Sequence, residues 1–309
     1  GDILHGKLRR NNMEKLLTIF TPAYNRGYTI HKTYESLKRQ TNKNFKWLII
    51  DDGSTDNTRE LIEKWIKEDN KFEISYIYKK NGGMHSAHNT AYENIDTELN
   101  VCIDSDDYMP DDAVEHIINT WNTCKDDKEI AGIAGLDIYE NSKEVIGTKF
   151  PEGLTKATLF DLYNKYGVSG DKKLVYRSEL TKQYPYPEYD GEKYVGLDYK
   201  YNKIGEQYKL RLVNEVFCIV EYMEDGSSKN MLKQYRNNPK GWCFYRLENI
   251  KRSNTSIKYR FKEYIHYVSS SLMLKEKGFI KKAPHKVLCT LAVPFGYLLK
   301  TYIYNKTKE

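Results

Sequence analysis

Apolar and polar positions alternate in blocks along the first 120 residues. Leu16–Phe20, Trp47–Ile50, Ile74–Tyr78 and Leu99–Ile103 are short apolar runs rich in strand formers. Between and behind them apolar residues recur at helical spacing: Ile30, Tyr34 and Leu37 within Thr29–Gln40; Leu61, Ile62, Trp65 and Ile66 behind Asp56; the stretch Ser86–Ile95; then Val114, Ile117, Ile118 and Trp121. Asp56 stands where a helix N-cap is needed, and Asp112 with Glu115 reads as a capping box. Continuous apolar strands alternating with helices of about 10 to 15 residues predict βαβ units and a mainly parallel sheet, buried on both faces.

Beyond Ala131 the pattern loosens. Ile130–Ile138 and Val213–Tyr222 predict strands, and Asp198–Tyr208 a short helix. Phe150–Glu192 is polar and interrupted by Pro151, Pro185 and Pro187, which predicts a stretch wrapped over one face of the sheet. From Met231 onward the chain predicts basic helices, with a break at Pro294. No repeat of about 20 to 50 residues is present.

Composition narrows the class. The 309 residues are 39% hydrophobic and 30% charged, with a mean hydropathy of -0.74, which excludes disorder or a fibrous repeat for most of the chain. A net charge of +6 and pI ≈ 8.7 fall short of a dedicated nucleic-acid binder. Cys102, Cys124, Cys218, Cys243 and Cys289 are scattered without a CxxC pair, so a metal ribbon or disulfide scaffold is not expected and a reducing cytoplasm is the default. Gly1–Asn12 lacks the apolar core of a secretory signal and reads as a flexible or vector-derived segment before Met13. Val287–Leu299 is free of charge and bounded by Lys281, Lys282, Lys286, Lys300 and Lys306. It is shorter than the roughly 20 residues of a membrane span. Two readings stay open for it, an interfacial helix on anionic lipid and a core-packed terminal helix.

Ligands of an open parallel sheet bind beyond the carboxyl ends of its strands. The four strand candidates are followed by Thr21–Arg26, Asp51–Asp56, Asn81-Gly82-Gly83 and Asp104-Ser105-Asp106-Asp107. One such polar cluster is an ordinary turn. Four on one edge predict a binding site. Carboxylates at i and i+2, as in Asp104 and Asp106, can share a hard divalent cation, Mn2+ or Mg2+, whose shell a diphosphate completes.

These segments, TIFTPAYNR (Thr18–Arg26), WLIIDDGSTDNT (Trp47–Thr58), NGGMHSAHN (Asn81–Asn89) and DSDDYMPDD (Asp104–Asp112), resemble the inverting glycosyltransferases of family 2, in order and spacing. The resemblance implies an α/β, GT-A fold, Rossmann-like, with a mainly parallel mixed sheet and flanking helices. It implies a metal-dependent transfer from a nucleotide-sugar donor, commonly UDP-linked. Pro22, Tyr24 and Asn25 match the segment at the base and ribose, Asp52 the position that hydrogen-bonds the base, Asp104 the carboxylate near the ribose, and Asp106 the main Mn2+ or Mg2+ ligand. Asn81, Gly83 and Ser105 belong to the same donor segments, and Asp107 is a candidate sugar or acceptor contact. Met84 stands where relatives carry lysine, and His88 where others carry arginine; His85 and His88 are then candidate donor contacts.

SGDKKLVYRSEL (Ser169–Leu180), YPYPEYDGEKYV (Tyr184–Val195) and EYMEDGSSKN (Glu221–Asn230) resemble a branch that builds bacterial surface polysaccharides. Inversion needs a base on the acceptor hydroxyl. The family's acidic pair falls at Leu197-Asp198, so the first acid is missing. Asp198 is the base candidate, with a helix cap as the alternative reading; Glu192 is second choice. Asp171 is a candidate acceptor or sugar contact, and Ser227 and Ser228 match a loop that closes over the diphosphate. The expected organisation is a glycosyltransferase domain over 13–223 and a basic helical extension over 224–309. The expected partners are a nucleotide sugar and a glycan or lipid-linked acceptor, with peripheral contact at the inner face of the cell membrane, self-association open and no nucleic acid. A catalytically inactive relative serving as a binding or assembly subunit is the competing reading, motivated by Leu197 and Met84; a sugar-phosphate nucleotidyltransferase is disfavoured by Pro22–Asn25 after the first strand.

Overall fold

A computed structural model describes residues 3–5, 15–221 and 230–308. The proposed closing loop with Ser227 and Ser228 lies outside these, as do all residues of Gly1–Asn12 but three. The chain divides into two compact units: Gly1–Pro185 with Lys200–Met223, and Tyr186–Tyr199 with Glu224–Glu309. The segment carrying Asp198 thus groups with the C-terminal helices.

The first unit is an α/β sheet structure. Its strands are β1 (Ile3–His5), β2 (Leu17–Ala23), β3 (Phe45–Asp51), β4 (Glu73–Tyr78), β5 (Leu99–Cys102), β6 (Ile130–Tyr139), β7 (Lys156–Ala157), β8 (Lys172–Arg177) and β9 (Lys209–Val220). Helices α1 (His31–Arg39), α2 (Thr58–Lys67), α3 (Met84–Asn94) and α4 (Ala113–Cys124) alternate with the first strands as the pattern predicts. The short helices α5 (Leu159–Asn164) and α6 (Ser178–Thr181) follow, then α7 (Asp198–Ile204), which opens on the 186–199 segment. The sheet order is β1-β4-β3-β2-β5-β8-β6-β9-β7. Strands β2, β3, β4, β5, β6 and β9 run parallel to one another; β1, β7 and β8 are antiparallel to their neighbours.

Aromatic packing fixes the helices on the sheet. Tyr34 of α1 stacks on Trp65 of α2 at 4.4 Å, both beside the fully buried Trp47 of β3. Each such buried ring contributes about 1.5–3 kcal/mol. The Trp47 indole N–H donates to Thr21 Oγ1 (3.0 Å), so its polar edge is satisfied.

Three expectations are corrected. Asp56 accepts Thr58 N–H at 3.0 Å beside the start of α2, but the capping position itself falls on Asn57. The capping box at α4 is not made. Asp112 lacks the extended backbone of a capping residue (φ -106°, ψ 4°), its carboxylate faces His116 instead, and Glu115 accepts from Thr41. The stretch 150–192 does not merely wrap a face: β8 enters the middle of the sheet, Val175 pairing with both Val101 and Ile133. Two adjacent lysines disguise it as a surface segment. Lys172 is spent on the carbonyls of Ile146, Ser169, Gly170 and Asp171, and Lys173 is buried among carboxylates.

The second unit contains α8 (Met231–Asn237), α9 (Pro239–Lys251), α10 (Ile257–Met273), α11 (Phe279–Lys282) and α12 (Lys286–Lys306). Helix α12 runs through Pro294 without ending. Packing on both sides of the proline, by Cys289, Ala292, Gly296 and Ile303, outweighs the single lost backbone bond. At 21 residues it exceeds the uncharged run seen in the sequence, and it is long and apolar enough to cross a membrane by length and composition.

Candidate active site

Because β4, β3, β2 and β5 are parallel neighbours, their carboxyl ends share one sheet edge. That edge collects Tyr24-Asn25, Asp52-Gly53, Asn81–Gly83 and Asp104–Asp107. Pro22 is buried in the last turn of β2 and Tyr24 is exposed beyond it. Asn25 adopts a positive φ of 52° and is lashed to the next loop: its N–H donates to Ser54 Oγ (2.9 Å) and its Oδ1 accepts Thr55 N–H (2.8 Å). Gly53 has φ +85°, and a Cβ there would lie 2.8 Å from the Asn81 nitrogen, so the loops after β3 and β4 meet only across a glycine.

The two aspartates of the DDGS segment divide their work. Asp51 is fully buried, accepting Ser54 N–H (2.7 Å) and the Tyr76 hydroxyl (2.7 Å). Asp52 accepts Lys79 Nζ (2.9 Å) and Gly82 N–H (2.9 Å) on one oxygen, Gly83 N–H (2.7 Å) and Asn81 Nδ2 (3.2 Å) on the other. Two donors per oxygen fill the roughly four acceptor positions of a carboxylate. Asp52 therefore builds the 79–83 loop. Sequence resemblance alone assigned it to the base.

After β5 the chain turns sharply, Asp107 N–H donating to Asp104 O (3.0 Å). Thr29 and Thr33 donate to Ser105 O (2.9 Å) and Asp107 O (2.7 Å), and Tyr108 bridges to Ile219 of β9. Asp104 and Asp106 are half-buried at the surface of this turn, and Ser105 and Asp107 are buried. Beneath lie Asp137 of β6, buried, and Lys173 of β8, nearly so, 3.9 Å apart. Burial pushes Asp137 up to about 6 although Lys173 pulls against it. Burial, opposed by Lys173 and reinforced by Asp104 and Asp106, also raises Asp107. Burial alone would lower Lys173, but Asp137, Asp107 and Asp104 outweigh it and hold the ammonium charged.

One lysine thus faces a surplus of carboxylates, and Asp137 Oδ1 is buried with no hydrogen-bond partner among the described residues. The arrangement fits an added divalent cation. No closed cage of three ligands occurs among the described residues. Mn2+ and Mg2+ can be held by one or two carboxylates, with phosphate and water completing the shell.

In the second unit, Asp198 is half-buried and accepts the Tyr245 hydroxyl at 2.6 Å. Burial raises it, partly offset by the Tyr245 bond and by Arg246. The 186–199 segment is bound to α9 along its length. Glu192 accepts the N–H groups of Lys240 and Gly241, each at 2.9 Å, and so caps the first turn of α9. Tyr194 stacks on Trp242 at 5.0 Å, and Lys193 N–H donates to Asn238. Arg246 clasps both oxygens of Glu263 at 3.0 Å, and Asn249 donates to the same carboxylate. Tyr245, Arg246 and Lys173 gave no warning in the sequence beyond a charge or hydroxyl inside an otherwise apolar stretch.

The remaining candidates separate cleanly. Asp171 is exposed at the foot of β8. His85 and His88 are buried; His88 packs edge-on against Phe20 at 5.0 Å, its Nδ1 lies 3.3 Å from the Tyr92 hydroxyl, and burial lowers it to about 3, which keeps it neutral. A cavity of about 580 Å³ opens at the opposite sheet edge, lined by Lys15, Asp96, Glu98, Arg177 and Lys182 among others. Its cations are already committed to backbone carbonyls, Lys15 to Lys43, Lys182 to Ile95, and Arg177 to Ile130 and Lys125, so it is no ready anion site.

A mainly parallel sheet with a polar carboxyl edge of this kind is an architecture that presents ligands at its strand ends. The model of the family "Glycosyl transferase family 2" matches residues 18–183, and the chain belongs to that family. It is 33% identical over 99 residues to the glycosyltransferase GlyA of Streptococcus pneumoniae serotype 4, covering 32% of this chain and 14% of GlyA. The match therefore spans a small part of that relative. Across almost the whole chain the fold is similar to two solved structures. One is S. aureus TarS 1-349 in complex with UDP-GlcNAc (TM-score 0.62, 18% identity, 94% of this chain and 91% of that one). The other is the mannosyltransferase PcManGT of Pyrobaculum calidifontis in complex with GDP-Man and Mn2+ (TM-score 0.57, 16% identity, 96% and 89%).

Proposed function

We propose that this glycosyltransferase moves a sugar, with inversion, from a UDP-linked donor to a hydroxyl of a glycan or lipid-linked acceptor in the synthesis of a bacterial surface polysaccharide. It works in the cytoplasm, at the inner face of the cell membrane. The observation that carries the reading is the shared edge of four parallel strands, which unites Tyr24-Asn25, the loop built by Asp52, and Asp104–Asp106. Pro22, Tyr24 and Asn25 bind the nucleoside, with Asp104 and Ser105 beside the ribose and Asn81 and Gly83 closing the wall. Asp106, with Asp104, would hold Mn2+ or Mg2+, which when bound supplies Lewis-acid stabilisation of the leaving diphosphate.

Asp198 takes the proton of the acceptor hydroxyl. Each Glu192 oxygen already accepts a backbone N–H of α9, which favours Asp198 over Glu192 as the base. A carboxylate raised by burial is a better base than an exposed one, and Tyr245 fixes its orientation. Calorimetry with UDP and Mn2+ tests the donor site: binding is expected, and no binding of any nucleoside diphosphate with or without metal refutes the reading. Asp198→Asn is expected to abolish transfer while UDP affinity stays within about twofold. Transfer that survives the substitution with weakened donor binding would remove Asp198 from the base role. Donor hydrolysis without acceptor separates an active enzyme from an inactive assembly subunit.

A further inference from the structure

Helix α12 presents its apolar side to solvent. Val287, Leu291, Phe295, Leu298 and Tyr302, spaced four, four, three and four residues apart, fall on one helical face and are between 50% and 76% exposed. The stripe runs for about 22 Å at the helical rise. Phe261 of α10 meets Phe295 edge-on at 5.6 Å, and Ile257, one turn earlier on α10, is exposed. The opposite flank of α12 is committed to protein: Cys289, Ala292, Gly296 and Ile303 are buried, and a Cβ on Gly296 would lie 2.5 Å from Val268 of α10.

The charge around this stripe has one sign. Residues 231–308 hold 17 lysines and arginines against three acids, while the whole chain is only +6. Each of the three acids is already paired: Glu248 with Lys251, Glu263 with Arg246, Glu276 with Lys282. Lys281, Lys282 and Lys286 precede the stripe, and Lys300, Lys306 and Lys308 accompany or follow it.

We infer that the Val287–Tyr302 stripe of α12 is a docking surface for an anionic lipid bilayer, lying in the plane of the interface with its apolar side chains inserted and the flanking lysines on lipid phosphates. An exposed apolar stripe framed by lysines is the composition of an interfacial helix. A second copy of this chain would bring a second unit of the same high positive charge against the first, which electrostatics opposes; an anionic surface is complementary. A spanning helix is excluded by the committed flank, since α10, carrying Lys258, Arg260 and Lys262, would have to follow α12 into hydrocarbon. The inference deepens the reading of an enzyme with a lipid-linked acceptor, and vesicle binding can fail without nucleotide binding failing.

The test is co-sedimentation of the full chain with phosphatidylcholine vesicles containing either no anionic lipid or about 30 mol% phosphatidylglycerol. Binding to the anionic vesicles is expected, with affinity falling as salt rises. Leu291→Ser with Leu298→Ser is expected to weaken binding by at least roughly tenfold. The double variant leaves UDP binding and Tm unchanged, because both side chains are exposed. Lys281→Gln and Lys286→Gln should each weaken it by roughly fivefold. No binding to either vesicle, or equal binding by the double serine variant, overturns the inference. So does a concentration-dependent dimer that the double variant abolishes, or resistance of the cellular protein to alkaline extraction, which would mean a second copy or a span respectively.

Discussion

Lys173→Met tests the charge balance beneath the candidate metal site. The ammonium lies 3.9 Å from Asp137. At an effective dielectric of about 20, that attraction is about 4 kcal/mol, an upper bound on what Asp137 loses. Protonation sets a lower ceiling. Asp137 titrates at about 6 in the folded protein. Relative to an ordinary value near 4, keeping it ionised already costs about 3 kcal/mol. Without Lys173 it binds a proton, which at about pH 7.5 costs about 5 kcal/mol against the unfolded chain. Asp137 therefore contributes about 2 kcal/mol to the loss; Asp107, raised to about 8, is already mostly protonated at that pH and adds little. The variant should lose about 2 kcal/mol near pH 7.5, seen as a Tm lower by roughly 4–8 °C. Near pH 5.5 the gap should shrink, because Asp137 is then protonated and Lys173 is a buried cation without that partner. Mn2+ should narrow the gap at pH 7.5 by supplying the missing positive charge. The measurement is thermal unfolding of both proteins at the two pH values, with and without Mn2+. A variant as stable as the parent at pH 7.5, or a gap that widens on acidification, would refute the reasoning.

Two further outcomes follow from the second unit. Glu263→Gln leaves Arg246 buried without its charge partner and should cost about 3–5 kcal/mol in chemical denaturation; a loss under about 1 kcal/mol would show that water reaches the pair. His266 is half-buried near Arg246, and desolvation lowers it to about 3. It stays neutral when the unfolded chain takes up a proton, so stability is lost as pH falls from about 6.5 toward 3. His266→Phe should lose less stability than the parent over that window, and parallel acid titrations of the two would contradict the assignment.

The polar sheet edge was legible because its information is local. Each apolar run of β2, β3, β4 and β5 is followed directly by its own loop, and parallel pairing then brings the loops to one edge whatever the side-chain detail. The helices between them showed their buried faces at 3.6-residue spacing, as Tyr34 and Trp65 illustrate. The strand β8 was hidden because its burial depends on partners far along the chain: Lys173 reads as a surface residue until Asp137 and Asp107 are placed beside it. The missing capping box at α4 has the same origin. Glu115 found Thr41, and Asp112 found His116, and no local rule weighs those alternatives.

The role of Asp52 shows how far resemblance reaches. The DDGS segment marks a candidate donor-site carboxylate, but whether that carboxylate points at a ligand or at its own chain depends on four donors from residues 79–83. Asp198 and Glu192 were equivalent in kind as acids six residues apart. Helix α9 separates them, offering backbone N–H groups to one and a tyrosine hydroxyl to the other.

Local pattern was enough to establish the family, the α/β class and the edge of the sheet where chemistry belongs, since strand, turn and helix signals act over a few residues. Tertiary contact was needed to bury Lys173 among carboxylates, to spend Asp52 on a loop and Glu192 on a helix end, and to turn the apolar face of α12 outward. Those outcomes depend on which distant groups compete for one lone pair or one patch of apolar surface, and that competition exists only once the chain is folded.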